Sequence, residues 1–213
     1  MIVINCAQGS AEWHIARAGV ISASMFEIAR SKLKSGPNKG QPTAAALDYA
    51  FRLAVERISG DPLDNGFETW QMKRGHELEP EARMEHEIQS GLIVQRAGFI
   101  TTDDGAFGAS ADGLIGEDGG SEYKCFISPE KVRAFHIDND ASGIADQVQG
   151  CMWISGRKWW HIGMYCPALE VAGKQLWWRQ FERDDDFIEQ LEADLWQFKL
   201  LVDEYEAKLR SKP

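Results

Sequence analysis

At 213 residues, 44% hydrophobic and with eight tryptophans, the chain fits one large folded unit better than two small ones. No run approaches the roughly 18 uncharged apolar residues of a membrane span, and no basic-plus-apolar leader opens the chain, so the reading is a soluble cytoplasmic protein without membrane segments. A net charge of −10 weighs against a nucleic-acid partner, but the charge is uneven: Arg17 to Lys39 carries five cations against one acid, and Glu182 to Glu206 ten acids against two cations.

Residues 1 to 60 read as mainly helical. Ser10 is placed to cap a first turn in AEWHIAR, and Ser22 or Ser24 of GVISAS to cap a second helix through Arg30. SKLKSGPNKGQPT is a basic loop suited to phosphate contacts. Ala44 to Ile58 is a helix with Leu47, Phe51, Ala54, Val55 and Ile58 at helical spacing, ended by Gly60 and Pro62. A strongly helical run extends from about Glu68 to Gln89. Pro80 within it predicts a helix start or a kink, putting Glu79 at a helix N-terminal junction.

Leu92 to Thr102, Ala106 to Ile115 and Ser121 to Phe126 read as strands, Asp140 to Ser155 as an amphipathic helix, and Trp159 to Cys166 and Gln175 to Phe181 as strands. The chain closes in a helix over about Asp184 to Leu209, with an apolar residue every three or four positions from Phe187 and three leading aspartates at its positive end. No internal repeat or linker divides it, so the order predicts one α/β domain, residues 1–213, with a mixed central sheet flanked by helices.

The cysteines Cys6, Cys125, Cys151 and Cys166 form no CxxC pair and read as buried free thiols. His76, His86, His136 and His161 read as scattered packing or surface residues.

The chemistry concentrates in FGASADGLIGEDGGSEYKC, residues 107–125. Side chains on a strand alternate, so Glu122 and Lys124 share one side while Tyr123 and Cys125 turn to the core. GEDGG makes a tight turn, so the flanking runs pair as a hairpin that sets Asp112 beside Glu122. Two carboxylates and an amine provide hard oxygen ligands for Mg²⁺ and a group that orients or deprotonates a water, as phosphodiester hydrolysis requires. This is the D-x(n)-E-x-K arrangement of PD-(D/E)xK metal-dependent nucleases. A surface hairpin with a chance E-x-K salt bridge has the same short pattern.

WHIARAGVISAS, RGHELEPEAR, ASADGL, EYKC and ADQVQGCMW, taken together, resemble the phage lambda exonuclease family of YqaJ-type viral recombinases over about residues 11 to 165. The resemblance implies a restriction-endonuclease-like core and an enzyme that digests one strand of duplex DNA 5′ to 3′ from an end, leaving a 3′ single-stranded overhang. It further implies a ring-shaped homotrimer, a single-strand annealing protein as recombination partner, and a phage or prophage protein in a bacterial host.

By the same resemblance the metal ligands fall on Glu79, Asp112 and Glu122, with the Tyr123 main-chain carbonyl joining them and the catalytic lysine at Lys124. Glu77 and Glu81 are rivals to Glu79. The implied mechanism uses two Mg²⁺ ions, with Mn²⁺ also compatible with oxygen ligands. A pocket for the terminal 5′-phosphate falls on Arg17, Ser24, Ser110 and Gln147, where a guanidinium fork and neutral donors suit phosphate. Trp70 and Met72 read as core or as a wedge between separating strands. Ala111 and Phe126 replace prolines frequent in the family. A structure- or site-specific endonuclease is the alternative on the same scaffold.

Overall fold

The computed structural model describes residues 1–63 and 69–211. Its strands form two mixed sheets rather than one continuous sheet. The first has the order β1 (Ile2–Ile4), β3 (Phe99–Thr101), β4 (Phe107–Ser110), β2 (Ile21–Ser22), with β2 parallel to β4 and the other pairs antiparallel. The second runs β5 (Gly113–Ile115), β6 (Gly119–Lys124), β7 (Trp159–Tyr165), β8 (Leu176–Glu182), with β6 and β7 parallel. The predicted strand from Ala106 to Ile115 is therefore two strands in different sheets, and the chain crosses between them at Ala111 and Asp112. The predicted strand from Leu92 shrinks to β3, preceded by an isolated bridge between Gln95 and Leu114.

The N-terminal sixty residues are less helical than their sequence suggests. Helix α1 (Ala11–Arg17) is capped by Ser10, whose hydroxyl accepts from the Trp13 amide. Ile21–Ser22 form the edge strand β2, and a 3₁₀ turn (Ala23–Met25) leads directly into α2 (Phe26–Ala29); Ser22 stands at the N-cap position of that turn but its side chain makes no capping bond, and Ser24 lies inside the turn. Both hydroxyls instead meet Arg17.

Helix α3 (Ala44–Ser59) is capped by Thr43 and ended by Gly60 in the left-handed region. It buries Ala46, Tyr49, Ala50, Leu53 and Ala54, while Leu47, Phe51 and Ile58 of the predicted stripe are exposed. The alanine-rich side wins because small residues admit a close partner: Tyr49 stacks on Phe198 of α7 (Asp185–Arg210) at 5.4 Å. Glu56 is buried there because its carboxylate accepts from the Gly19 and Leu63 amides.

Helix α4 (Trp70–Ser90) runs unbroken through Pro80, which lies on its exposed side. Glu79 is thus inside a helix and not at a junction. The expected start near Glu68 lies outside the described residues; Thr69 caps the helix at Met72. Trp70 and Met72 are exposed, at 63% and 52%, so they are not core.

A further helix, α5 (Pro129–His136), precedes α6 (Ala145–Ser155). Val148, Cys151 and Met152 of α6 join Phe26, Phe107, Trp160, Leu191 and Leu195 in the main core. A smaller cluster joins Ala82 and Leu78 of α4 to Tyr123, Tyr165 and Leu176. Only Cys151 of the four thiols is buried; the others are half-buried and all are free. No helix is long and apolar enough to cross a membrane, among the described residues.

The predicted separation of charge is partial. Arg30 pairs with Asp146 and Asp194, and Lys32 with Asp194, so cations of the basic segment are neutralised by the acidic C-terminal helix.

Candidate active site

The β5–β6 hairpin forms as its turn residues dictate, with Gly113 opposite Ser121. Asp112, in the bend just before β5, is brought against β6, where its Oδ2 accepts from the Tyr123 amide, next to Glu122, at 2.7 Å. Side-chain alternation does the rest. Tyr123 and Cys125 pack with the small cluster under α4. Glu122 and Lys124 turn instead to α6: Lys124 Nζ donates to Glu122 Oε1 and to Gln147 Oε1, both at 2.8 Å, and Gln147 Nε2 donates to Glu122 Oε1 at 2.7 Å.

The electrostatics are those of carboxylates crowded in a desolvated place. Burial, followed by the charges of Glu122 and Glu79, holds the Asp112 carboxyl well above its usual range. Glu79 is also raised, first by burial and against the pull of Arg83. Burial pulls the Lys124 ammonium down, but Glu122 and Asp112 outweigh it and hold the ammonium above its ordinary value.

Glu79 comes from a different element, α4, and lines the same cleft as Asp112. Arg83, one turn on, donates to its Oε1 at 2.5 Å, a pairing the four-residue spacing in the sequence allows. Among the described residues no three acidic, histidine or cysteine side chains stand close enough to hold one metal ion. The donor chemistry nonetheless suits a divalent cation: hard carboxylate oxygens repel one another, and Glu122 Oε2 is buried with no hydrogen-bond partner.

Arg17, Ser24 and Ser110 come together around an aromatic ring that sequence reasoning missed. Arg17 Nη2 donates to Ser22 Oγ at 3.1 Å and Ser24 Oγ at 3.4 Å. Its guanidinium lies 4.2 Å from the Trp13 ring centre, and Trp13 Nε1 donates to Ser110 Oγ at 2.8 Å. Trp13 and Arg17 are four residues apart on α1, a spacing visible in the sequence. Gln147 sits apart from this set, on Lys124 and Glu122, although it lines one small cleft of about 220 Å³ with Ser24.

Two histidines that look scattered in the sequence meet in the interior. His86 is fully buried and hydrogen-bonds the Tyr123 hydroxyl and His161, each at 2.8 Å, and His161 continues to Gln180 at 3.0 Å. The His86–Tyr123 bond ties α4, which carries Glu79, to β6, which carries Glu122 and Lys124. Burial and then His161 bring the His86 pKa down to about 4, below the ordinary value of about 6.5. Between those values the unfolded chain takes up a proton that the folded one refuses, so stability falls as pH falls from 6.5 through 4. The expected loss from this group is about 2 kcal/mol, read from urea midpoints at pH 7 and pH 4. His86→Gln should make that difference smaller; an unchanged difference would remove His86 as its source.

Comparison with known proteins agrees with this architecture. A family model described as the YqaJ-like viral recombinase domain matches residues 12–158. No curated protein matches the chain. The crystal structure of an alkaline exonuclease (LHK-Exo) from Laribacter hongkongensis is similar at a TM-score of 0.81 and 29% identity, covering 94% of this chain and 96% of that one. LHK-Exo in complex with dAMP gives 0.82 and 28%, with the same coverage. A phage related exonuclease from Haemophilus somnus 129PT, 15% identical over 89% of this chain and 96% of that one, shares the fold at a TM-score of 0.66.

Proposed function

We propose, from the premise that this chain belongs to the YqaJ-like viral recombinase family, that it is a lambda-exonuclease-like deoxyribonuclease acting at duplex DNA ends. In this reading residues 1–213 are a single nuclease domain that digests one strand 5′ to 3′ and leaves a 3′ single-stranded overhang. A single-strand annealing protein uses that overhang in recombination, and three copies of the chain form a ring around the duplex. The setting is the cytoplasm of a bacterial host carrying the phage or prophage.

The observation that carries the reading is the hairpin that brings Asp112 onto the Tyr123 amide, next to Glu122, with Lys124 on the Glu122 oxygen. Glu79, Asp112, Glu122 and the Tyr123 carbonyl are the groups we assign to Mg²⁺, two ions in all, with Mn²⁺ a permitted substitute. Such cations supply Lewis-acid stabilisation of the phosphoryl oxygens and a lowered water pKa. Lys124 acts as an ammonium that orients the attacking water by hydrogen bonding and offsets charge at the phosphate. Gln147 keeps Lys124 and Glu122 in register through its bonds to both. Arg17, Ser24 and Ser110 receive the terminal 5′-phosphate, and Trp13 holds Arg17 in place by stacking. Trp70 and Met72, exposed at the start of α4, suit a wedge between the separating strands.

The test is a linear duplex labelled at either the 5′ or the 3′ terminus, incubated with Mg²⁺ or with chelator. The expected result is metal-dependent release of 5′-labelled mononucleotide first, with the 3′ label retained on long strands. Digestion of a closed circular duplex at a comparable rate, or release of the 3′ label first, overturns the end-dependent 5′-to-3′ assignment.

A further inference from the structure

Two clefts open near the acid pair, and the larger is lined by none of the groups assigned to the 5′-phosphate. The small cleft on the α6 side holds Ser24 and Gln147. A larger cleft of about 530 Å³ opens where Glu79 and Asp112 line one wall, a size in the range of small-ligand sites. Its opposite wall is built from the loop after β1 and from residues 96–98.

That wall is held by close contacts. Gln8 Nε2 donates to the Ala111 carbonyl at 2.9 Å, tying the loop to the residue before Asp112. A side chain at Gly98 would meet the Ile4 carbonyl oxygen at 2.2 Å, so the two backbones can approach only because residue 98 is glycine.

Beyond the cations assigned to Glu79 and Asp112, a polyanionic strand in this cleft calls for a positively charged side chain at its next phosphate. Arg83 lines the cleft but its guanidinium is engaged by Glu79. Arg96 also lines it, is exposed, and makes no side-chain hydrogen bond or ion pair among the described residues.

We propose that this larger cleft is a second phosphate subsite, in which Arg96 holds a backbone phosphate of the digested strand on the side of the cut away from the 5′ terminus. The inference rests on the nuclease reading and adds the strand's path. The 5′-phosphate lies at Arg17, Ser24 and Ser110, the scissile phosphate at Asp112 and Glu122, and the next nucleotides along Arg96. A guanidinium suits the task, since its fork of donors matches a phosphate's oxygens.

The experiment is equilibrium binding of a 5′-phosphorylated linear duplex in chelator, so that no cleavage occurs, measured by fluorescence anisotropy between 50 and 200 mM salt. Arg96→Ala should lower the slope of log affinity against log salt by about 0.9, one phosphate contact. The corresponding loss at 50 mM salt relative to 200 mM is then larger by about threefold. Arg96→Glu should weaken binding further, and Arg96→Lys should retain the wild-type slope.

A duplex carrying one neutral methylphosphonate just beyond the scissile phosphate locates the contact. It should weaken wild-type binding as Arg96→Ala does and add nothing to that variant. An unchanged slope in Arg96→Ala and Arg96→Glu, or fully additive effects of the variant and the neutral linkage, overturns the subsite. A wild-type protein that fails to bind duplex DNA at low salt, or that binds it without metal-dependent cleavage, overturns the nuclease reading itself and the subsite with it.

Discussion

Replacing Asp112 by Asn is expected to lower nucleotide release by about 10³-fold or more, equivalent to roughly 4 kcal/mol of transition-state stabilisation, while the metal-free protein becomes more stable. The two effects have one cause. Asp112 lies in a desolvated place beside Glu122 and Glu79, and that environment disfavours its charge. An amide of the same shape keeps an oxygen to accept from the Tyr123 amide and removes the like-charge repulsion. Active sites commonly hold such destabilising arrangements, and relieving them raises stability at the expense of function. The measurements are single-turnover digestion of a labelled linear duplex and thermal unfolding in chelator. Loss of activity with a lower unfolding temperature would mean that Asp112 is a structural residue of the hairpin.

Lys124→Ala should give a comparable loss of activity by a different route. It removes the donor on Glu122 Oε1 and leaves Gln147 as the remaining partner of that oxygen. A Lys124→Arg variant keeps the charge but not the compact point donor, so little of the activity should return.

How much of this was legible in the sequence depends on whether local chemistry or packing decided the outcome. The hairpin was legible, because glycines and acids between two short apolar runs admit few other turns, and strand alternation then separates Glu122 and Lys124 from Tyr123. The long C-terminal helix was legible for the same reason: Leu191, Leu195, Phe198 and Val202 repeat at helical spacing and are all buried. The division of the sheet was not legible. A run such as FGASADGLI carries no local mark of where one sheet ends and the next begins; the break at Ala111 and Asp112 is set by partners far away in sequence, β3 and β2 on one side and β6 on the other. Pro80 misled in the opposite direction, since an exposed proline costs a helix one backbone bond and flanking packing by Ala82 and His86 can outweigh it. Among the site residues, Arg83 and Trp13 were within reach as four-residue partners of Glu79 and Arg17 on their helices. The meeting of His86 with His161 was not, because 75 residues separate them and only the docking of α4 on β7 brings them together.

Arg17→Ala is expected to reduce kcat/KM on 5′-phosphorylated ends by about 10- to 100-fold, roughly 1.5–3 kcal/mol, and to leave 5′-hydroxyl ends nearly unaffected. Selectivity is the point of the prediction, because a charge that merely attracted DNA would slow both substrates alike and its effect would fade with salt. Arg17 is preorganised: stacking on Trp13 and bonds to Ser22 and Ser24 fix the guanidinium before any ligand arrives, so little side-chain freedom remains to be lost. Burial pulls the Arg17 pKa down, but a guanidinium stays charged at neutral pH, so the site keeps its cation. Lysine at this position keeps a charge without the planar fork or the stacked face, and Arg17→Lys should therefore lie closer to Arg17→Ala than to the wild type. Trp13→Phe, which keeps a ring under Arg17 and removes only the donor to Ser110, should cost less than either. Equal rates of the wild-type protein on 5′-phosphate and 5′-hydroxyl ends would refute the pocket assignment, whatever the variants do.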